Sequence, residues 1–300
     1  MATKEFALAA PPADGVAALC FSPAEPTTLA VASWDGRARV YDTAANALSA
    51  ELAVSPAPLL DAAFSPDGGV LFTGGLDRTA RSHDLRASSA AAAATVLGGH
   101  DDAIRSVLFS AAHGLLVTGS WDRSVKLWDP RAPGGAPAAG TLRAPERVYG
   151  AALCGADALV VATAGRHVAT YDLRQRAVAL SRESSLKHQT RVVRSFVDGT
   201  GFASGSVEGR VAIDFLDASP AAQAAKYAFK CHRVKGAPAA AGAWRRRGRR
   251  GGGGQFFSSQ TRLGADGSCV EMSATHLIIQ TAASSSLSWR RRHHIPTRPA

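Results

Sequence analysis

Ile104–Asp129 reads IRSVLFSAAHGLLVTGSWDRSVKLWD. An apolar stretch containing Phe109 is followed by a turn and a second apolar stretch. Small residues come next, then an Asp-containing turn, then a short strand-like run that closes on Trp128-Asp129. Apolar residues here alternate or form runs of a few residues bounded by Gly, Ser and Asp. That is the pattern of strands joined by tight turns, not the 3.6-residue period of a helix.

Upstream, the same order recurs in LLDAAFSPDGGVLFTGGLDRTARSHD (Leu59–Asp84) and VAALCFSPAEPTTLAVASWDGRARVYD (Val16–Asp42). Downstream, two weaker copies follow, VYGAALCGADALVVATAGRHVATYD (Val148–Asp172) and VVRSFVDGTGFASGSVEGRVAIDFLD (Val192–Asp217). The closing acids Asp42, Asp84, Asp129 and Asp172 step by 42, 45 and 43 residues, and the turn acids Asp35, Asp77 and Asp122 by 42 and 45. A period of about 40–45 residues with this internal order is that of a WD-repeat blade. The expected fold is therefore all-β, a WD-repeat β-propeller with four antiparallel strands per blade packed radially around a channel. No blade buries both its faces alone, so the repeats stabilise one another.

The chain is 46% apolar over 300 residues, enough for a sizeable core. It has no run of 18 apolar residues, and its first residues, MATKEFALAAPPADG, lack a signal-peptide core, so an intracellular protein with no membrane partner is expected. Cys20, Cys154, Cys231 and Cys269 are far apart, with no metal-ligand spacing, and are read as thiols packed like small apolar residues. Neither a metal nor any other cofactor is expected. The net charge of +10 is uneven: residues 236–300 hold ten arginines against Asp266 and Glu271. The high isoelectric point thus belongs to the C-terminal stretch and gives no ground for treating the repeats as a nucleic-acid binder.

Ser120, His100 and Asp122 invite a catalytic-triad reading, but a polar cluster inside a blade needs partners and supplies them to itself. Gly251–Gly254 is not followed by Lys-Ser/Thr and is no phosphate loop. A non-enzymatic protein without a small-molecule substrate is expected. The Ala- and Pro-rich stretches Ala87–Val96 and Pro130–Gly140 read as outer strands and loops with expansions.

Longer runs carry a resemblance. They include ASWDGRARVYD (Ala32–Asp42), TGGLDRTARSHDL (Thr73–Leu85), GGHDDAIRSVLF (Gly98–Phe109), VTGSWDRSVKLWDPR (Val117–Arg131) and PERVYG (Pro145–Gly150). TAGRHVATYDLR (Thr163–Arg174), SRESSLKHQTR (Ser181–Arg191), GSVEGRVAIDFLD (Gly205–Asp217) and KYAFKCHRVK (Lys226–Lys235) continue the series. From about Glu5 to Lys235 the chain resembles the spindle-checkpoint WD-repeat family (budding uninhibited by benzimidazole, number three). The nuclear-pore mRNA-export WD family is its nearest sibling and the alternative reading. Gly74-Gly75-Leu76-Asp77 with His83-Asp84-Leu85, Tyr171–Arg174 and Arg182–Arg191 are more similar to the checkpoint family.

The resemblance implies an adaptor, located in the nucleus and at kinetochores in mitosis. It would bind a GLEBS segment of the checkpoint kinase and of its pseudokinase relative. It would also bind phosphorylated Met-Glu-Leu-Thr repeats of the kinetochore scaffold, bringing the kinase to unattached kinetochores. Arg210 and Lys230 match the positions that contact phosphothreonine, where a guanidinium grips phosphate bidentately and an ammonium adds a point charge. Trp34 and Trp121 match the face that receives the GLEBS segment, and Arg182–Arg191 with Lys187 is a loop facing its acids. His100, Asp122 and Trp128 match the hydrogen-bonded network within a blade, with Asp35 and Asp77 as the corresponding turn acids. The family would continue with two further blades, seven in all, and its N-terminal strand, here about Glu5–Ala9, would complete the last. After Lys235 the resemblance stops. Residues 236–300 are expected to be a low-complexity basic tail, either disordered or a gene-model artefact. Its arginine runs at 245–250 and 290–292 also fit RNA contacts or nuclear-localisation signals.

Overall fold

Turns recur too often along this chain for helices of useful length, and it folds as strands. The computed structural model describes residues 5–86, 94–231 and 263–264. A two-residue strand, β1 (Glu5–Phe6), comes first. The first sheet is β2 (Val16–Phe21), β3 (Thr28–Ser33), β4 (Arg37–Asp42) and β5 (Ala47–Ala53). The second is β6 (Leu59–Phe64), β7 (Val70–Gly75), β8 (Thr79–Asp84) and β9 (Thr95–Gly99). The third is β10 (Ile104–Ser110), β11 (Leu115–Ser120), β12 (Ser124–Trp128) and β13 (Gly140–Arg143). The fourth is β14 (Val148–Cys154), β15 (Ala158–Thr163), β16 (His167–Asp172) and β17 (Ala177–Glu183). The fifth is β18 (Thr190–Ser195), β19 (Gly201–Ser206), β20 (Arg210–Phe215) and β21 (Tyr227–Lys230). Each sheet is antiparallel with its strands in chain order, so each repeat read from the sequence is one blade of a β-propeller. The single α-helix among the described residues, α1 (Pro220–Ala224), is capped by the Ser219 hydroxyl, which accepts from the Ala222 amide.

The first strand of every blade shifts register at one place, between Val16 and Ala18, Leu59 and Asp61, Ile104 and Ser106, Val148 and Gly150, and Thr190 and Val192. A bulge there sharpens the local twist and lets each innermost strand lie against the next. β2 packs on β6, β6 on β10, β10 on β14 and β14 on β18. Among the described residues no comparable packing joins β18 back to β2.

The core lies between blades. Ala30, Ala32, Ala38 and Val40 of the first blade pack on Leu59, Ala62 and Leu71 of the second. Phe72 and Leu97 meet Ile104, Val107 and Leu116. Val125 and Leu127 meet Val148, Leu159 and Tyr171. Val160 and Val168 meet Val193 and Phe202. Between the second and third blades the joint is also polar: the Asp61 carboxylate accepts from the Val107 amide at 2.7 Å. At each blade the turn after the second strand contains a residue in the left-handed region: Gly36, Arg78, Arg123, Gly165 with Arg166, and Gly209. At Gly36 a Cβ would also stand 1.9 Å from the Ser55 carbonyl oxygen, so this position admits only glycine.

The last blade that such an N-terminal strand would complete in the family is absent among the described residues. β1 forms a two-residue antiparallel ladder with β22 (Leu263–Gly264) and is not the fourth strand of a blade. Apart from those two residues, the stretch 236–300 lies outside the described residues, as do Cys269 and the arginine runs.

Candidate functional site

The turns joining the second and third strands of each blade stand at one end of the sheets. Their leading residues are Trp34, Leu76, Trp121, Ala164 and Val207. Each amide donates to a carbonyl just ahead of its blade's first strand: Gly15, Pro58, Ala103, Arg147 and Gln189, at 2.8 to 3.0 Å. One repeated backbone bond thus holds five equivalent positions on one face. Trp34 is 41% exposed, Leu76 37% and Val207 61%, while Trp121 is half-buried. The Trp121 indole nitrogen is buried without a hydrogen-bond partner among the described residues. Sequence reasoning named the two tryptophans and missed Leu76 and Val207. Their offset in the repeat, one residue before the turn acid, was the available signal.

Arg210 and Lys230 come together at this end of the fifth blade. They are cross-strand partners in the β20–β21 register, with Arg210 directly after the turn. The Cys231 amide donates to the Gly209 carbonyl at 2.9 Å, which draws the end of β21 onto the turn. Lys230 is exposed and makes no ion pair among the described residues. Arg210 has one neighbour of opposite charge, with its Nε 3.6 Å from Glu208 Oε2. The same carboxylate oxygen lies 3.3 Å from His188 Nε2.

His100, Asp122 and Trp128 form one buried chain, with Thr118 as a link that the sequence did not reveal. Asp122 Oδ2 lies 2.8 Å from His100 Nδ1, and an ionised carboxylate only accepts, so Nδ1 carries the proton. His100 Nε2 therefore accepts from the Thr118 hydroxyl at 2.8 Å. The same hydroxyl oxygen accepts from the Trp128 indole at 2.8 Å. Burial opposes ionisation of Asp122, but hydrogen bonds from Ser124 and His100 outweigh it and hold the carboxyl below its usual range. Burial lowers the His100 pKa, and the bond to Asp122 only partly offsets this. Ser120 stands outside the chain, donating to the Asp102 carbonyl and accepting from the Asp122 amide. With Thr118 on His100 Nε2, the trio lacks the nucleophile–base contact of a triad.

The other turn acids have different partners. Asp35 is paired with Arg39 at 2.8 Å and Asp77 with Arg81. In the second blade, His83 stands where Trp128 stands in the third, with Nε2 3.0 Å from Thr73 Oγ1. Burial, with a smaller contribution from Arg81, lowers the His83 pKa to about 4.

The reading of Arg182 as part of a partner-facing loop is corrected. In the β19–β20 register, Asp214 takes the place that the other blades give to Tyr41, His83, Trp128 and Tyr171. A buried carboxylate there needs cations. Arg182 reaches it from β17 at 3.1 Å and Lys226 lies at 3.6 Å. Arg182 also lies over the Phe202 ring. It is engaged in joining blades four and five. Among the described residues no three His, Cys, Asp or Glu side chains cluster as a metal site, and no helix is long and apolar enough to cross a membrane.

Comparison with known proteins agrees with this architecture. The WD domain, G-beta repeat, family matches residues 7–42, 52–84 and 93–129. Mitotic checkpoint protein BUB3.1 of Arabidopsis thaliana is 49% identical over 229 residues, covering 75% of this chain and 65% of the relative. Mitotic checkpoint protein bub3 of Dictyostelium discoideum is 37% identical over 230 residues, covering 76% and 67%. The poly(A)+ RNA export protein of Schizosaccharomyces pombe is 37% identical over 233 residues, covering 77% and 64%. The chain thus spans about two thirds of the length of these relatives, and just under that for the first and third.

Proposed function

This chain belongs to the WD40-repeat family of mitotic checkpoint BUB3 proteins and their mRNA-export relatives, and on that premise we propose that it is a non-enzymatic adaptor of the mitotic checkpoint. Its turn face, with Trp34, Leu76, Trp121 and Val207, receives a GLEBS segment of a checkpoint kinase or its pseudokinase relative. Exposed aromatic and aliphatic side chains at fixed turn positions make suitable anchors for such a segment. Arg210 and Lys230 grip the phosphothreonine of a phosphorylated Met-Glu-Leu-Thr repeat in the kinetochore scaffold. The protein would then bring the kinase to kinetochores in mitosis and reside in the nucleus otherwise.

The observation that carries the phosphopeptide part is the cross-strand pairing of Arg210 with Lys230. It places a guanidinium-bearing and an ammonium-bearing residue directly opposite each other at a strand end, a pairing suited to a phosphate dianion. The test is fluorescence anisotropy with a labelled Met-Glu-Leu-phosphoThr peptide. Arg210→Ala with Lys230→Ala is expected to lower affinity at least about tenfold, as loss of two charge-assisted contacts implies. Unchanged affinity in the double variant would remove the assignment.

The relatives named for RNA export favour a second reading, a factor bridging nucleoporins and RNA. Tagged protein would then collect at the nuclear rim in interphase, whereas enrichment at unattached kinetochores supports the checkpoint role.

A further inference from the structure

We propose that Glu208 is a resident counter-ion for Arg210 that an incoming phosphate must displace, and that His188 is the group that takes it over. The inference rests on the phosphopeptide reading above. Glu208 Oε2 lies between two nitrogens, Arg210 Nε at 3.6 Å and His188 Nε2 at 3.3 Å. Only Gly209, at φ +81°, separates Glu208 from Arg210, and the turn bends the chain so that both side chains leave on the same side. Its amide is tied to the Ser206 carbonyl at 3.1 Å and its carbonyl to the Cys231 amide at 2.9 Å. The backbone beneath the trio is therefore fixed, while the side chains are 31% to 54% exposed and free to exchange partners.

A phosphate dianion lying between Arg210 and Lys230 meets the Glu208 carboxylate at close range. Two like charges at that separation repel, and the guanidinium cannot serve both fully. The carboxylate has another partner already in reach. His188 holds it through the contact at 3.3 Å once Arg210 turns to the phosphate. The charged groups around this exchange are Glu208 and Arg210 on the turn and β20, Lys230 opposite Arg210 on β21, and His188 on the segment entering β18. Glu208 thereby sets the affinity of the pair Arg210–Lys230, and His188 relieves it by offering the displaced carboxylate a second partner.

The test uses the full chain and the Met-Glu-Leu-phosphoThr peptide, with affinities measured at about pH 7.5, where the phosphate is mostly dianionic. The near-isosteric Glu208→Gln should tighten binding about two- to fivefold, the range expected for an exposed ion pair. On an Arg210→Ala background the same substitution should give little or no gain, since its effect runs through Arg210. His188→Ala, which removes the second partner, should weaken peptide binding about two- to fivefold in the wild-type chain and leave Glu208→Gln unaffected. Unchanged or weaker binding by Glu208→Gln with an unaltered thermal midpoint would overturn the proposal. So would a full gain on the Arg210→Ala background, which would mark a general charge effect. Equal affinity of wild type and His188→Ala would overturn the part given to His188. If Arg210→Ala binds like wild type, the phosphopeptide reading itself falls and the proposal with it. Loss of binding in Arg210→Ala beside no gain in Glu208→Gln defeats the counter-ion alone.

Discussion

Replacing Thr118 by Val isolates the link that ties His100 to Trp128. The two side chains have nearly the same shape, so packing in the fully buried site is kept. What is lost is one hydroxyl serving two partners at 2.8 Å each. The Trp128 indole N–H loses its acceptor and His100 Nε2 its donor. Each stranded buried group costs about 1–3 kcal/mol, so the gross loss is about 2–6 kcal/mol. The added methyl returns about 1 kcal/mol of apolar burial, leaving a net destabilisation of about 1–5 kcal/mol. For a folded unit of roughly 220 residues this corresponds to a fall in thermal midpoint of about 2–20 °C. Urea denaturation followed by Trp fluorescence and far-UV circular dichroism measures it. Thr118→Ser keeps the hydroxyl and should cost only about 1 kcal/mol. A Thr118→Val protein within about 0.5 kcal/mol of wild type would refute the reasoning, because it would mean that both groups find other partners or that the chain contributes nothing net.

Gly98→Ala should destabilise by about 1–3 kcal/mol, because its Cβ would stand 2.2 Å from the Trp128 ring; urea denaturation checks this. His83 has a folded pKa of about 4, below its ordinary 6.5. The unfolded chain therefore takes up the proton first. The stabilisation is full above pH 6.5, declines as pH falls and is gone below about pH 4, a span worth on the order of 3 kcal/mol. His83→Tyr, the residue used by the first and fourth blades, should flatten wild type's loss of stability over that window. Trp34→Ala should weaken capture of a GLEBS peptide by about tenfold or more while shifting the thermal midpoint by only a few degrees, which calorimetry on one preparation reads.

The repeat period made the blades legible, because each strand and turn is specified by residues close together in sequence. Leu59–Phe64, Leu115–Ser120 and Val148–Cys154 fell inside the runs quoted at the outset. The bulge at the second residue of every first strand was not legible, since it is set by how innermost strands pack across blades. Thr118 was hidden for a similar reason. One threonine in a small-residue stretch has no signature until the fold brings His100 and Trp128 to it. In the fifth blade the written signature misleads, because Asp217 looks like the closing acid while register gives the aromatic's place to Asp214. Arg182 looked like a surface charge until that buried carboxylate was placed beside it. Arg210 and Lys230 are 20 residues apart, and only strand pairing makes them neighbours.

The serial packing of β2, β6, β10, β14 and β18 bears on how the protein opens. Among these five sheets the middle one, β10–β13, has a neighbour on both sides and lies two joints from either end. In such a linear array, cooperativity is transmitted only from one unit to the next, and the terminal units open at lowest free energy. Backbone amides of β11 and β12 should then exchange with deuterium last. Those of β3, β4, β19 and β20 should exchange earlier, which sets Arg210 and Lys230 on one of the two blades that yield early and Thr118 on the one that yields last.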